Sequence, residues 1–491
     1  MQKFAKHIMA FGATAAVALL AAGCGATTNR QQGTSAASQT DGPYNVVYIL
    51  TDDLGYAELG SYGNTFNETP HLDQLATEGV RLTNAYAAAP VCSPYRAALM
   101  TGQYPARLHI TDYLRPNANQ HLDTAHTTLA EMFKANGYRT GIVGKWHLSG
   151  YVKEGATEET LPDRHGFDEV MVSENRGIAE GWYFHPYGFN HEIEKKRPGR
   201  EYITDRQHDE AIGFIERNKD QPFFLYLSHY AVHTTVHGKP ELVDHFRRKP
   251  GAGTSEPTKG NPANDPFERW PADSRATHNN PHLAAQLSVV DQGVGMIREK
   301  LRELGLEQKT IIIFTSDNGG ETRVTTNAPL RAGKSTLYEG GVREPLIIWN
   351  PSLFKPAVVH TPMATYDFYP TLMELIGAKP NEQHLDGVSI VDALQNPGKT
   401  QPERAFYWHY PLDKPHFLGG RSAGSIRKGD WKLIAFFDDR TTELYNLRED
   451  VGEQHDLAAQ HPAKVAELLN ELQQWQHNVD ARVPVAVPSG Q

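Results

Sequence analysis

Five short apolar runs constrain this chain more than any other feature: Asn45 to Leu50, Thr140 to Val143, Phe223 to Leu227, Thr310 to Phe314 and Pro345 to Trp349. Each is rich in Val, Ile, Phe or Tyr and is bounded by polar or glycine residues, the pattern of strands covered on both faces. Helical patterns lie between them, at Thr128 to Asn136, Tyr202 to Asn218 and Leu283 to Leu304. Strand and helix in alternation predict an α/β fold around a mostly parallel sheet. Four of the runs are followed by charged or coordinating groups: Asp52 and Asp53, Lys145 and His147, His229 and His233, Asp317 and Asn318. Ligands of open α/β sheets bind at the carboxyl ends of the strands, so these scattered residues are expected to meet in one site.

The remainder of the chain reads differently. From about residue 396 strand-like pieces (Ser425 to Ile426, Trp431 to Phe437, Thr442 to Tyr445) precede a helix from about Ala463 to Gln476, which predicts a smaller α+β subdomain over 396–491 after a main domain over 44–395. Gly238 to His282 is dense in Pro, Gly, Asn and charge and reads as a long irregular loop. At the start, Lys3 and Lys6 lead into an apolar run ending at Leu20, then Ala21, Ala22, Gly23 and Cys24. That run is short for a membrane span and reads as an export signal over 1–23. The pattern is similar to a bacterial lipoprotein signal, which implies a lipid on Cys24 and a periplasmic or outer-membrane location. A flexible tether over 24–43 would follow, rich in Gly, Ala, Ser, Thr and Gln. Membrane contact is expected only through that anchor. Once exported, Cys92 is the one cysteine of the folded part, which excludes an intrachain disulfide framework. A net charge of −10 without Lys- or Arg-rich runs gives no basic field for nucleic acid, so an anionic substrate must be captured locally.

The residues themselves narrow the chemistry. Asp52, Asp53, Asp317 and Asn318 offer only oxygen ligands, which suit a hard cation, Ca²⁺ above Mg²⁺, and disfavour zinc. The alternative is that both pairs are turn or cap residues. Cys92 precedes Pro94 and a helix-forming stretch, which places it at a helix N-terminus where free N–H groups favour an anion. Lys145 and His147 flank Trp146 on an extended segment and so face the same side.

Cys92-Ser93-Pro94-Tyr95-Arg96, continuing through Thr101-Gly102-Gln103-Tyr104-Pro105, resembles the signature of type I sulfatases, with Tyr95 where that family usually has serine or alanine. Leu50-Thr51-Asp52-Asp53-Leu54-Gly55, Gly144-Lys145-Trp146-His147-Leu148, His165-Gly166-Phe167-Asp168, Ser316-Asp317-Asn318-Gly319 and Lys334 extend the resemblance over nearly the whole exported chain. It implies an alkaline-phosphatase-like α/β/α sandwich followed by a subdomain with an antiparallel sheet. It also implies a formylglycine made from Cys92 by a maturing enzyme, with Ca²⁺ held by Asp52, Asp53, Asp317, Asn318 and residue 92. Arg96, Lys145, His147, His233 and Lys334 would complete the catalytic set. One hydroxyl of the hydrated aldehyde would attack sulfur while His233, with Lys334, protonates the leaving alcohol; His147 would then deprotonate the other hydroxyl so that sulfate leaves. Export suits a sulfated carbohydrate substrate, of algal polysaccharide or glycosaminoglycan type. Arg115, Trp182, His185, Arg323 and His409 are candidate sugar contacts. Phosphoester or phosphonate hydrolysis, and glycan binding without catalysis, are the competing readings.

Overall fold

Alternate residues of the strand Asn45–Thr51 (β1) point to opposite faces of a central sheet, and all seven are buried. The description rests on a computed structural model and covers residues 43–115, 118–150, 161–174, 183–189, 192–254, 272–379 and 381–484. They belong to one unit that spans 40–491. The export signal, the tether with Cys24, and Trp182 lie outside the described residues.

The strands that follow are Val80–Tyr86 (β2), Arg139–Lys145 (β3), Glu169–Glu174 (β4), Phe223–Ser228 (β5), Thr310–Ser316 (β6), Arg343–Trp349 (β7), Ala357–Val359 (β8) and Met363–Ala364 (β9). They form one nine-stranded sheet in the order β4-β3-β5-β1-β6-β7-β2-β8, with β9 also on β2. β1 pairs in parallel with β5 and β6, and β3 pairs in parallel with β4 and β5. Only β7 runs against its neighbours β6 and β2. This is the run that lacks coordinating residues after it, because its carboxyl end faces away from the edge where the other four deliver theirs.

The expected α/β/α sandwich with a mostly parallel sheet is present. On one face Val47, Ile49, Leu225, Leu227, Ile312 and Phe314 pack against helices Pro70–Glu78 (α1), Ile203–Arg217 (α4) and Pro281–Glu303 (α6). On the other, Val46, Tyr48, Leu50, Phe224 and Ile313 pack against Cys92–Thr101 (α2), Leu129–Ala135 (α3) and Phe368–Leu375 (α8). The region expected to be an irregular loop contains a helix, Pro240–Arg247 (α5). Pro240 starts it, and Val243 and Phe246, three apart on one face, are buried against Ala284 and Ala285 of α6.

A short helix, Glu339–Val342 (α7), leads into β7, and Val391–Gln395 (α9) leads toward a second sheet. That sheet is antiparallel, Ala405–Tyr410 (β10), Ala423–Lys428 (β11), Trp431–Phe436 (β12) and Thr442–Asn446 (β13), in sequential order. Pro462–Asn478 (α10) covers it with Leu468, Leu472 and Trp475, the indole stacking on Tyr407 at 4.8 Å.

Candidate active site

Parallel pairing carries β1, β5 and β6 to the same edge, and the chain keeps pairing just past it. Asp52 N donates to Ala231 O (2.9 Å), Val232 N donates to Asp52 O (2.8 Å) and Asp317 N donates to Thr51 O (3.1 Å). The acidic residues after β1 and β6 are thereby set side by side, although 264 positions separate Asp53 from Asp317. Asp53 N donates to Asp317 Oδ1 at 3.1 Å, and Asn318 Nδ2 donates to Asp53 Oδ1 at 2.8 Å. Asp53 adopts φ of +61° and His147 of +56°, left-handed backbone that is costly for residues with a side chain and that clusters at functional positions.

Cys92 is the first residue of α2, a helix whose ten residues are all buried. Its Sγ lies 3.5 Å from Asp52 Oδ1. Donor atoms from Asp52, Asp53, Cys92 and His233 fall within 4.8 Å of one another. Arg96, one turn into the helix, donates from Nη2 to Asp317 Oδ2 (2.8 Å) and stands 3.8 Å from Asp52 Oδ2. Its Nη1 donates to Ser228 Oγ (2.6 Å) and Lys145 O (3.0 Å). Tyr95 points into the core instead, where its hydroxyl meets that of Tyr48 at 3.0 Å.

Two lysines reach the cluster from different sides. Lys145 Nζ is bound to Asp52 Oδ2 with both side chains fully buried, and Lys334 Nζ lies 2.7 Å from Asp53 Oδ2. Burial alone would lower the Lys145 pKa; Asp52 beside it raises it, so the ammonium persists. Burial disfavours ionised Asp52 too, yet Lys145, His233 and Arg96 hold it well below the usual carboxylate range. Asp317 is pushed up to about 7 by burial and by the Asp52 charge. Burial pushes the Cys92 thiol up to about 12, against the pull of Lys145 and Lys334, so the unmodified side chain is a neutral thiol at physiological pH.

His147 donates from Nε2 to Leu114 O at 2.9 Å, the tautomer that makes Nδ1 the basic nitrogen. Burial, reinforced by Lys145, keeps this imidazole neutral well below its usual range. His233 lies at the mouth, partly exposed, with Nε2 3.7 Å from Asp53 Oδ2 and Nδ1 2.5 Å from Thr234 O.

All ten sequence-predicted site residues, Asp52, Asp53, Cys92, Arg96, Lys145, His147, His233, Asp317, Asn318 and Lys334, meet here. The neighbouring His229 does not: it packs edge-on against His208 inside the fold, 5.1 Å between ring centres. His409 is buried between β10 and α10, bonded to Arg482 O at 2.8 Å and Gln476 at 3.3 Å, and is unsuited to meet a sugar. His185 is engaged with Ile193 O at 2.8 Å. Sequence reasoning missed the support behind Arg96: Ser228, and Gln207 of α4, whose Nε2 donates to Ser228 O (3.0 Å) and whose Oε1 lies 3.2 Å from His229 Nδ1. Neither residue belongs to a motif that could have signalled this.

The donor set fits a hard divalent cation. Three carboxylates and an amide oxygen are gathered in a water-poor pocket, and Asn318 Oδ1 is buried without a hydrogen-bond partner while its own Nδ2 is used, which leaves that oxygen available to an ion. Asp52 and Asp317 resist joint ionisation without one.

The sulfatase family profile matches residues 44–378, and the profile described as N-sulphoglucosamine sulphohydrolase, C-terminal, matches 332–480. Human arylsulfatase A is 32% identical over 91% of this chain and 90% of its own. A sulfatase of Formosa agariphila is 29% identical over 88% of each. The crystal structure of Ps i-CgsB in complex with k-i-k-neocarrahexaose superposes with a TM-score of 0.73 and 30% identity, over 90% of this chain and 94% of the other.

Proposed function

From the premise that this chain belongs to the sulfatase family and is a sulfuric ester hydrolase, we propose that it desulfates carbohydrates through a formylglycine derived from Cys92, with Ca²⁺ as its ion. The observation that carries the reading is the placement of Cys92, at the N-terminus of α2, within reach of Asp52, Asp53 and two buried lysines. The carbohydrate assignment is supported by Ps i-CgsB, a similar fold solved in complex with k-i-k-neocarrahexaose.

Asp52, Asp53, Asp317 and Asn318 would hold the cation, which supplies charge to polarise the sulfate ester and to stabilise an oxyanion. The hydrated aldehyde supplies two hydroxyls on one carbon, one to attack sulfur and one whose deprotonation expels sulfate, a second route that serine lacks. Around it each side chain has a task. The α2 amides and Lys145 hold the sulfate anion. Lys334 and His233, on the mouth side, protonate the departing alcohol oxygen. His147 Nδ1, neutral because its imidazole is buried beside Lys145, then accepts the proton of the remaining hydroxyl. Arg96 keeps Asp52 and Asp317 in place and offsets their charge.

The peptide carrying residue 92, from protein made in its native host, is expected to be lighter than the cysteine form by about 18 Da, the change of nucleophile that the mechanism requires. The same preparation should hydrolyse 4-nitrophenyl sulfate faster than 4-nitrophenyl phosphate. An unmodified thiol in active protein would overturn the formylglycine assignment, and a preference for phosphate would overturn the choice of ester. Export and anchoring at Cys24 complete the proposal; radiolabelled palmitate should be incorporated, and lost in Cys24→Ala.

A further inference from the structure

Beside the candidate catalytic cluster lies a cavity of about 790 Å³, with His109, Thr111, Asp112, Tyr113, Arg115 and Gln120 on one wall and residues 411–417 on the other. Each wall is tied to a segment that carries a catalytic side chain. Leu114 N donates to Ser93 Oγ, next to Cys92, at 3.0 Å, while Leu114 O takes the His147 bond. On the other wall, Gly420 sits so close to Ser335 O that a Cβ there would approach it to 1.9 Å, which docks the 416–420 turn next to Lys334.

The outer lip of this cavity is aromatic in an unusual way for an exposed loop. The Phe417 side chain is 68% exposed, more than any other large hydrophobic residue described. It is nevertheless fixed: its ring stacks on His416 at 4.3 Å, and the Arg323 guanidinium lies 5.1 Å from its centre. Arg323 is bound to Glu321, and Glu321 accepts from Thr234 Oγ1 at 2.7 Å, the residue after His233. His416 meets Tyr113 edge-on at 5.8 Å, and Arg115 lies over the Tyr113 ring at 4.6 Å. A flat apolar ring held in water by a chain of contacts from the catalytic mouth has the form of a stacking surface, with the cationic side chains Arg115, 3.0 Å from Asp112, and Lys414, next to Asp413, along the same cavity in a protein of net charge −10.

We propose that this cavity binds the sugar units of a sulfated oligosaccharide beyond the one that loses its sulfate, with Phe417 as the face on which one such ring stacks and with Arg115 and Lys414 facing its anionic substituents. The inference rests on the carbohydrate reading above and deepens it. It makes the preferred substrate an oligosaccharide in place of a monosaccharide or a small aryl sulfate.

The test measures kcat/KM of the matured enzyme on κ-carrageenan, ι-carrageenan, chondroitin sulfate and heparin tetrasaccharides, and on 4-methylumbelliferyl sulfate. For a tetrasaccharide that is cleaved, Phe417→Ala should lower the ratio of its kcat/KM to that of the aryl sulfate about tenfold, and Phe417→Trp should keep the ratio within about threefold of wild type, as expected when one exposed aromatic anchor is removed or replaced. An unchanged ratio in Phe417→Ala, with an unchanged melting temperature, overturns the stacking assignment alone. Hydrolysis of the aryl sulfate with no tetrasaccharide cleaved overturns the carbohydrate reading itself.

Discussion

The guanidinium of Arg96 stands between Asp52 and Asp317 in a pocket that excludes water, and its Nη1 donates to Ser228 and the Lys145 carbonyl. Arg96→Leu therefore leaves two buried carboxylates short of charge; the expected cost is about 3–5 kcal/mol of stability, read by urea unfolding, with kcat/KM lowered by roughly 10³. Arg96→Lys should recover little of the activity, because an ammonium cannot reproduce the fork that spans both carboxylates and the hydroxyl. His208 offers a pH test away from the catalytic groups. Burial lowers its pKa to about 3, so the folded protein keeps it neutral while the unfolded chain protonates near 6.5. The wild type thus loses stability from this residue as pH falls below about 6.5, by about 2 kcal/mol at pH 5. His208→Gln lacks this contribution, and the stability gap between it and wild type should shift in the variant's favour by that amount from pH 7 to pH 5. A constant gap would refute the assignment of a neutral buried imidazole. At this scale the candidate catalytic groups were legible as a cluster because charged residues directly after apolar runs have few structural uses. Gln207 and Ser228 were not, since an amide and a hydroxyl that steady a guanidinium look in sequence like any polar residue of a helix or strand end.

Five of the main-sheet strands were legible from apolarity alone, being buried on both faces; the residues of β2 were not, because Arg81 and Asn84 interrupt its pattern where the strand lies only partly buried. β10 was missed for a related reason. Its Trp408 and Tyr410 face one core and Tyr407 the other, so its signal is aromatic more than aliphatic. The junction between the sheets hides a further element that no periodicity reports: Lys432 of β12, fully buried, lies 2.9 Å from Glu339 at the start of α7 and 3.0 Å from Glu453 beyond β13. Lys432→Met should destabilise the protein by about 3–5 kcal/mol, since it removes the buried cation that Glu339 and Glu453 share, whereas adding Glu339→Gln and Glu453→Gln should restore part of that loss. Thermal unfolding of the single and triple variants decides it; equal melting temperatures would mean that the ion cluster contributes only packing.

Across the whole molecule the metal proposal has a thermodynamic consequence that needs no substrate. An ion bound only by the folded state stabilises it, by about 2.7 kcal/mol at a concentration 100 times Kd. Chelator should lower the melting temperature, Ca²⁺ should restore it more fully than Mg²⁺, and Asp53→Asn should blunt the response; a melting temperature indifferent to chelator and Ca²⁺ counts against the ion. The fold class was readable from strand and helix alternation, whereas the reversal of β7 was not, because direction within a sheet leaves no mark on a buried apolar run. The separation of Asp53 from Asn318, 265 positions, also bears on time. At 5–20 residues per second a ribosome delivers the second half of the oxygen cluster roughly 13–50 s after the first. No fragment that ends before β6 can close the pocket over Cys92, so the thiol that is 2% exposed in the finished protein passes through a long interval before that enclosure exists. Translation itself thus sets a window in which residue 92 is open to a modifying enzyme, and completion of the central sheet shuts it.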